Sequence, residues 1–166
     1  QGVEQAVRRL EAAGGDPDPV IVLYMPEVHE SLAGIIAGRV KEKYHHPVFV
    51  LTKGEEGVKG SGRSIEAYHM YEAMSRVKQY FTKFGGHKMA AGLSMREEDV
   101  EPLRKALNLD CGLTREDFAP LVHIDVPMPI SYASMELAKE LEKLEPYGTG
   151  NPKPLFAQKG EYLIRG

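Results

Sequence analysis

Two short stretches of small residues, each carrying basic groups, hold the candidate chemistry of this 166-residue chain. Phe84-Gly85-Gly86-His87 is followed closely by Ala90-Ala91-Gly92, and Lys59-Gly60-Ser61-Gly62-Arg63-Ser64 precedes both. Glycines leave backbone N–H groups unobstructed, so a Gly85-Gly86-His87 turn can aim them at an anion, with His87 as an added donor that can also bear charge. The non-bridging oxygens of a phosphodiester accept several such bonds at once. In the earlier stretch Arg63 offers a planar fork matched to phosphate, and Ser61 and Ser64 offer hydroxyls that bind anions without adding charge. Together the two stretches would make a two-sided phosphate cradle. Each also has a plainer use: paired glycines end a helix beside a surface histidine, and the Lys59 to Ser64 stretch forms a flexible hairpin.

Charge is distributed in keeping with a cradle. The net charge is −3, yet ten Lys/Arg against five Glu between Arg39 and Lys88 give that middle about +5 and leave about −8 elsewhere. A basic middle on an acidic chain suits an anionic ligand held at one place, although the same charges also serve as a solvated surface. The single cysteine, Cys111, excludes an internal disulfide, and no apolar run approaches the length of a membrane span, so a cytoplasmic setting with no membrane partner is expected. Gln1 to Leu10 are too charged for a signal peptide and there is no initiator methionine, which reads as an excised piece of a longer protein.

The elements that must position these residues follow from periodicity. Val3, Val7 and Leu10 predict a helix ended by Gly14-Gly15, Pro17 and Pro19, after which Val20 to Tyr24 reads as a buried strand. Leu32, Ile35, Ile36 and Val40 predict a helix over Ser31 to Tyr44, with Gly34 and Gly38 permitting close packing, and Pro47 to Leu51 predicts a second strand. Strand, helix, strand is a βαβ unit with a parallel pair. Val58 to Ile65 is expected to extend the sheet, Tyr71 to Thr82 to be helical until the Gly85-Gly86-His87 turn, and Glu97 to Leu107 to form a helix with Pro102 near its first turn. Beyond Leu109 come a strand candidate at Leu121 to Asp125, a helix from Ser134 to Leu144, a dense turn from Pro146 to Pro152, and a strand from Leu155 to Ile164. His45-His46 is expected in an exposed turn, His69 and His123 stand alone, and Glu97-Glu98 begins a helix, so no metal site is expected.

Several of these segments share a pattern with a known family. Val28-His29-Glu30, Gly34-Ile35-Ile36-Ala37-Gly38-Arg39-Val40, Lys59 through Ile65, Phe84 through His87 and Ala90 through Gly92 resemble, in order and spacing, the DHH-associated domain of the RecJ family in the DHH phosphoesterase superfamily. The likeness spans most of residues 20–95. The Gly-Gly-His and Ala-Ala-Gly blocks are common to the superfamily. The Ser-x-Arg-Ser-Ile block and the Pro146 to Pro152 turn are more particular to RecJ, where a similar turn opens an OB-fold domain. The resemblance implies an α/β fold: a DHH-associated domain over 1–109 with a mixed, mostly parallel sheet flanked by helices, then a linker and partial OB-fold-like domain over 110–166.

The implied function is the substrate-binding part of a metal-dependent exonuclease that degrades single-stranded DNA from the 5′ end in recombination and repair. Its partners would be single-stranded DNA and the parent's own DHH domain, with the oligomeric state left open. Carried over residue by residue, the likeness assigns a DNA phosphate to Arg63 with Ser61 or Ser64. It assigns contact with the phosphodiester near the cut bond to His87 and the Gly85-Gly86 backbone, and general attraction to Lys59, Lys83 and Lys88. Mn or Mg is expected in the separate DHH domain and no cofactor in this stretch, so the chain alone is expected to be inactive and His87 to contribute to catalysis only with that domain. His29 matches a family position whose role physical reasoning does not supply, and Val28 stands where the family usually has tryptophan. Two rivals remain: a phosphodiesterase of the same superfamily acting on short oligonucleotides or cyclic dinucleotides, against which the Pro146 to Pro152 turn argues, and a non-catalytic binding module whose basic middle docks an acidic protein.

Overall fold

The run of branched apolar residues near the start forms β1 (Ile21–Tyr24), with Ile21, Val22 and Leu23 all buried. It is preceded by α1 (Gly2–Ala13) and followed by α2 (Ala33–Tyr44), which crosses over to β2 (Val48–Lys53). The strands β1 and β2 run parallel, Ile21 opposite Val48 and Tyr24 opposite Leu51, giving the expected βαβ unit. These elements belong to a computed structural model that describes residues 2–109, 111–119, 123–148 and 150–160.

After β2 the chain reverses tightly. Gly57 has φ +84° at the turn, and a β-carbon there would stand 2.7 Å from the Met95 carbonyl oxygen. The returning strand is β3 (Val58–Arg63), followed by α3 (Met70–Arg76), β4 (Lys83–Gly86), β5 (Ala90–Met95) and α4 (Val100–Leu109). Pro102 falls in the first turn of α4, where a missing N–H breaks no helical bond. The sheet order is β1-β2-β3-β5-β4. It is mixed, as expected, but the expected parallel majority is corrected: only β1 and β2 are parallel, and the β2–β3, β3–β5 and β5–β4 pairs are antiparallel. The reason is connection length, because the short turns after β2 and β4 permit hairpins, whereas a parallel neighbour needs a crossover. A second correction concerns Tyr71 to Thr82. The helix ends at Arg76, a 3-10 turn covers Lys78–Tyr80, and Lys83 to Gly86 is strand rather than the turn that closes a helix.

Two cores flank the sheet. On one face Ile21, Leu23, Val48 and Val50 pack with Ala6 of α1 and Ile36, Ala37 and Val40 of α2, and Val28 fills the same core. On the other Val22, Phe49, Leu51, Leu93 and Met95 pack with Met70 and Met74 of α3 and Leu103 and Leu107 of α4. Cys111, Leu113 and Phe118 add to this second core, and the first compact unit accordingly runs on past Leu109 to position 120. His46, expected in an exposed turn, is instead buried at the start of β2. Its ring stacks on Phe118 at 3.8 Å and 2°, and its Nδ1 lies 2.5 Å from the Tyr44 carbonyl oxygen. His45 ends α2 in the left-handed conformation, which turns the chain and sends the next ring inward.

The second unit covers 121–166 and contains α5 (Met135–Glu142), capped by the Ser134 hydroxyl, and a short parallel pair of β6 (Val126–Pro127) and β7 (Phe156–Ala157). Of the strand expected at Leu121 to Asp125, residues 121–122 lie outside the described residues, and pairing begins at Val126. The end of the strand expected at Leu155 to Ile164 lies outside them as well. Among the described residues no helix is long and apolar enough to cross a membrane.

Candidate nucleic-acid interface

Residues directly opposite one another in neighbouring strands present their side chains on the same face of a sheet. In β3, Lys59, Ser61 and Arg63 lie opposite Thr52, Val50 and Val48 of β2, so they share the face covered by α1 and α2. On their other side they meet Ser94, Gly92 and Ala90 of β5, and these lead to Lys83 and Gly85 of β4. Over β5 and β4 that face is open. A β-carbon built on Gly85 meets nothing within 4 Å, and one on Gly92 meets only the Gly60 carbonyl oxygen at 4.0 Å. Gly85, Gly92 and Ser61 therefore form a row across three strands with no side chain larger than a hydroxymethyl group. This shallow trough is bordered by Arg63 and Ala90 on one side and by Lys59, Ser94 and Lys83 on the other.

Arg63 and Ser61 converge at the first turn of α2. A β-carbon on Gly34 would stand 2.8 Å from Nη2 of Arg63 and 3.7 Å from Oγ of Ser61. The Nη1 of Arg63 donates to the Gly62 carbonyl at 2.8 Å, and among the described residues no carboxylate pairs with its guanidinium. Lys83 likewise has no carboxylate partner among them. Lys59 differs: Glu30 sits 2.9 Å from its ammonium and, by hydrogen bonding first and charge second, holds it above the ordinary lysine range. It borders the trough as half of an ion pair.

His87 continues the ladder past β4. Its N–H donates to the Ala90 carbonyl at 2.9 Å, so the N–H expected to point at an anion is engaged within the sheet. His87 lies one residue beyond the end of β4, two residues after Gly85 in the trough. The ring Nδ1 accepts from the Met89 N–H at 3.2 Å, which in the neutral ring leaves the proton on Nε2. Gly86 faces the opposite way and is enforced by crowding: a β-carbon would run into the Ala90 carbonyl oxygen and lie 2.6 Å from the Ala91 α-carbon.

Two expected site residues are not brought to this face. Ser64 is 1% exposed, and its hydroxyl donates to the Tyr68 carbonyl at 2.6 Å, because it lies beyond the end of β3 and turns into the core. Lys88 pairs with Glu66 and its carbonyl accepts from the Met70 N–H, tying it to the segment before α3. His29 receives a local role instead: its Nδ1 accepts from the Ser31 N–H at 3.3 Å, capping the 3-10 turn Glu30–Leu32 that leads into α2. Sequence reasoning missed Ser94 and gave Gly34 a packing role only. The period-two series Ala90, Gly92, Ser94, all small, was the signal available for the first of these. Among the described residues no three His, Cys, Asp or Glu side chains gather where they could hold a metal ion.

Residues 18–111 match the DHHA1 domain, and residues 124–164 match the RecJ OB domain. The single-stranded-DNA-specific exonuclease RecJ of Bacillus subtilis is 35% identical over 155 residues, covering 91% of this chain and 20% of that protein. Its namesake from Salmonella typhimurium is 37% identical over 147 residues, covering 82% and 25%. Among solved structures, RecJ from Thermus thermophilus in complex with Mg²⁺ superimposes with a TM-score of 0.78 at 33% identity, over 93% of this chain and 24% of that one. The chain spans about a fifth to a quarter of the length of the relatives it matches. With more than half of its residues in a DHHA1 domain, the chain belongs to the DHHA1 family, and the match that follows in sequence is to the RecJ OB domain.

Proposed function

We propose that the open face of β4 and β5, together with Ser61 and Arg63 at its border on β3, binds the backbone of single-stranded DNA for a metal-dependent exonuclease that works from the 5′ end. The observation that carries this is the bare Gly85–Gly92–Ser61 row beside a guanidinium with no carboxylate partner among the described residues. A sugar-phosphate chain can lie flat where no side chain projects, and the adjacent Arg63 fork and Ser61 hydroxyl bind its non-bridging oxygens. Lys83 adds attraction along the border, where Lys59 stands paired with Glu30. The Nε2–H of His87 meets the phosphodiester near the bond that is cut.

Support comes also from the relatives, which are named single-stranded-DNA-specific exonucleases, and from RecJ crystal structures with Mg²⁺ or Mn²⁺. The described residues of this chain do not fit such an ion. In the proposed arrangement the parent's DHH domain therefore holds it, and this chain binds and orients the strand. Recombination and repair in the cytoplasm are the setting that the family resemblance implies. Docking of an acidic protein on the basic middle is disfavoured because Lys59 and Lys88 already have carboxylate partners.

Fluorescence anisotropy with a labelled oligothymidylate, repeated over a salt series, tests the reading. Arg63→Ala should weaken binding roughly tenfold or more, the worth of a charge-assisted phosphate contact, and reduce the slope of log affinity against log salt by about 0.7. Unchanged affinity with no salt dependence would exclude this face. Incubated alone with Mn²⁺ and the same DNA, the chain should release no mononucleotides.

A further inference from the structure

Glycine in a helix sacrifices backbone entropy and therefore calls for a reason. Two occur on α2, and they differ. A β-carbon on Gly38 meets nothing within 4 Å. One on Gly34 would collide with Nη2 of Arg63 at 2.8 Å and would lie in ordinary contact with Cζ of the same guanidinium at 3.6 Å and with Ser61 Oγ at 3.7 Å. The guanidinium assigned above to phosphate thus occupies the place of the missing side chain, and the Ser61 hydroxyl assigned with it borders that place.

The seat has an electrostatic side. The guanidinium lies at the positive end of α2, and Leu32 at the N-cap supplies no side-chain acceptor to the first turn. A cation placed there is repelled until an anion arrives, so something must hold it. The Gly62 carbonyl takes one nitrogen, and the bare α-carbon of Gly34 gives the rest of the group room to lie flat.

We infer that Gly34 is a positioning residue: its absent side chain is the socket that seats the Arg63 guanidinium beside the Ser61 hydroxyl, so that both donors converge on one phosphate. The ligand in this statement rests on the function proposed above, whereas the seat does not. The colliding atom is the free end of a flexible side chain, so Gly34→Ala can fold by displacing Arg63 alone. Alanine also favours helix, and the melting temperature should stay the same or rise.

The test compares Gly34→Ala, Gly38→Ala, Arg63→Ala and the Gly34→Ala/Arg63→Ala double variant of the full chain. Binding of a labelled oligothymidylate is followed by anisotropy, and the Nε–H resonance of Arg63 by ¹⁵N NMR without DNA. Gly34→Ala should shift or broaden the Arg63 resonance and weaken binding about tenfold, approaching Arg63→Ala. Gly38→Ala should do neither, and the double variant should bind no more weakly than Arg63→Ala alone, as expected for one coupled unit. An unmoved Arg63 resonance in Gly34→Ala overturns the inference, as does a loss that multiplies with that of Arg63→Ala. If Arg63→Ala binds like the parent chain, the DNA-binding reading fails, and the resonance still decides the seat.

Discussion

At one edge of the five-stranded sheet the outer backbone groups are closed off by side chains, and at the other they are left bare. Along β1 the Asn108 amide accepts from the Val20 N–H at 2.8 Å and donates to the Val20 carbonyl at 3.0 Å. Arg104 donates to the Val22 carbonyl at 3.0 Å and Arg9 to the Tyr24 carbonyl at 2.5 Å. Along β4 no described side chain bonds to the backbone of Lys83 to Gly86, and the face over Gly85 and Gly92 is open. An unprotected edge invites pairing; three side chains close the β1 edge, and no described side chain closes the β4 edge. Composition follows the same division. The β1–β2 half is mostly apolar on both faces, whereas β3, β5 and β4 alternate core positions with Gly, Ala, Ser, Lys or Arg.

The contrast is broken or sharpened most strongly at the edges. Asn108→Ala orphans the N–H and the carbonyl of fully buried Val20, at about 1–3 kcal/mol for a buried group left unpaired. Lys83→Ala on the opposite edge should stay within about 0.5 kcal/mol of the parent chain. Denaturant midpoints of the two variants give the comparison, and equal losses would remove the distinction between the edges.

A smaller contrast separates the two faces of the open half. A β-carbon on Gly62 would run into Met70 Sδ and stand 2.9 Å from Phe49 Cε1, whereas one on Gly92 projects into open space. Gly62→Ala should therefore destabilise by about 1–3 kcal/mol through overpacking. Gly92→Ala should fold as well as the parent chain or slightly better, since alanine restricts the unfolded state. Its effect belongs to binding, because the new methyl group stands in the bare row.

The covered half also carries a pH dependence. Burial holds the His46 imidazole below its ordinary value of 6.5. Between that value and the lower one in the fold, the unfolded chain binds a proton that the folded chain does not. The His46 contribution is thus complete above about pH 6.5 and is lost as pH falls through the folded value. Urea midpoints taken downward from about pH 7 should fall, and His46→Gln should flatten that slope. A slope kept in full by the variant would assign it to another group.

Much of the covered half is legible in the sequence and much of the open half is not, for a physical reason. Strands β1 and β2 are rich in branched apolar residues, and α2 has apolar residues at helical spacing, so local pattern and fold agree. Strand β4 is Lys-Phe-Gly-Gly, and glycines offer no alternation to read. It is a strand because β5 pairs with it, and that information is not local. The same limit governs the site. Ser61 and Ser64 look equivalent as residue types, and only the end of β3 at Arg63 decides that one hydroxyl faces the trough and the other the core. Lys59 and Lys88 look free until Glu30 and Glu66 arrive from distant parts of the chain. Residue chemistry and motif resemblance both single out Arg63 and His87, and the register explains why those motifs meet: Arg63 lies opposite Ala90, and His87 bonds to that same residue.

Amide chemical-shift mapping on titration with single-stranded DNA tests the division of the sheet most directly. Binding to the open half predicts perturbations concentrated at Lys59 to Arg63, Lys83 to His87, Ala90 to Ser94 and the first turn of α2 around Gly34, with β1 and α4 unaffected. Perturbations centred on the β1 edge, around Arg9, Arg104 and Asn108, with none at Arg63 or Gly92, would contradict it.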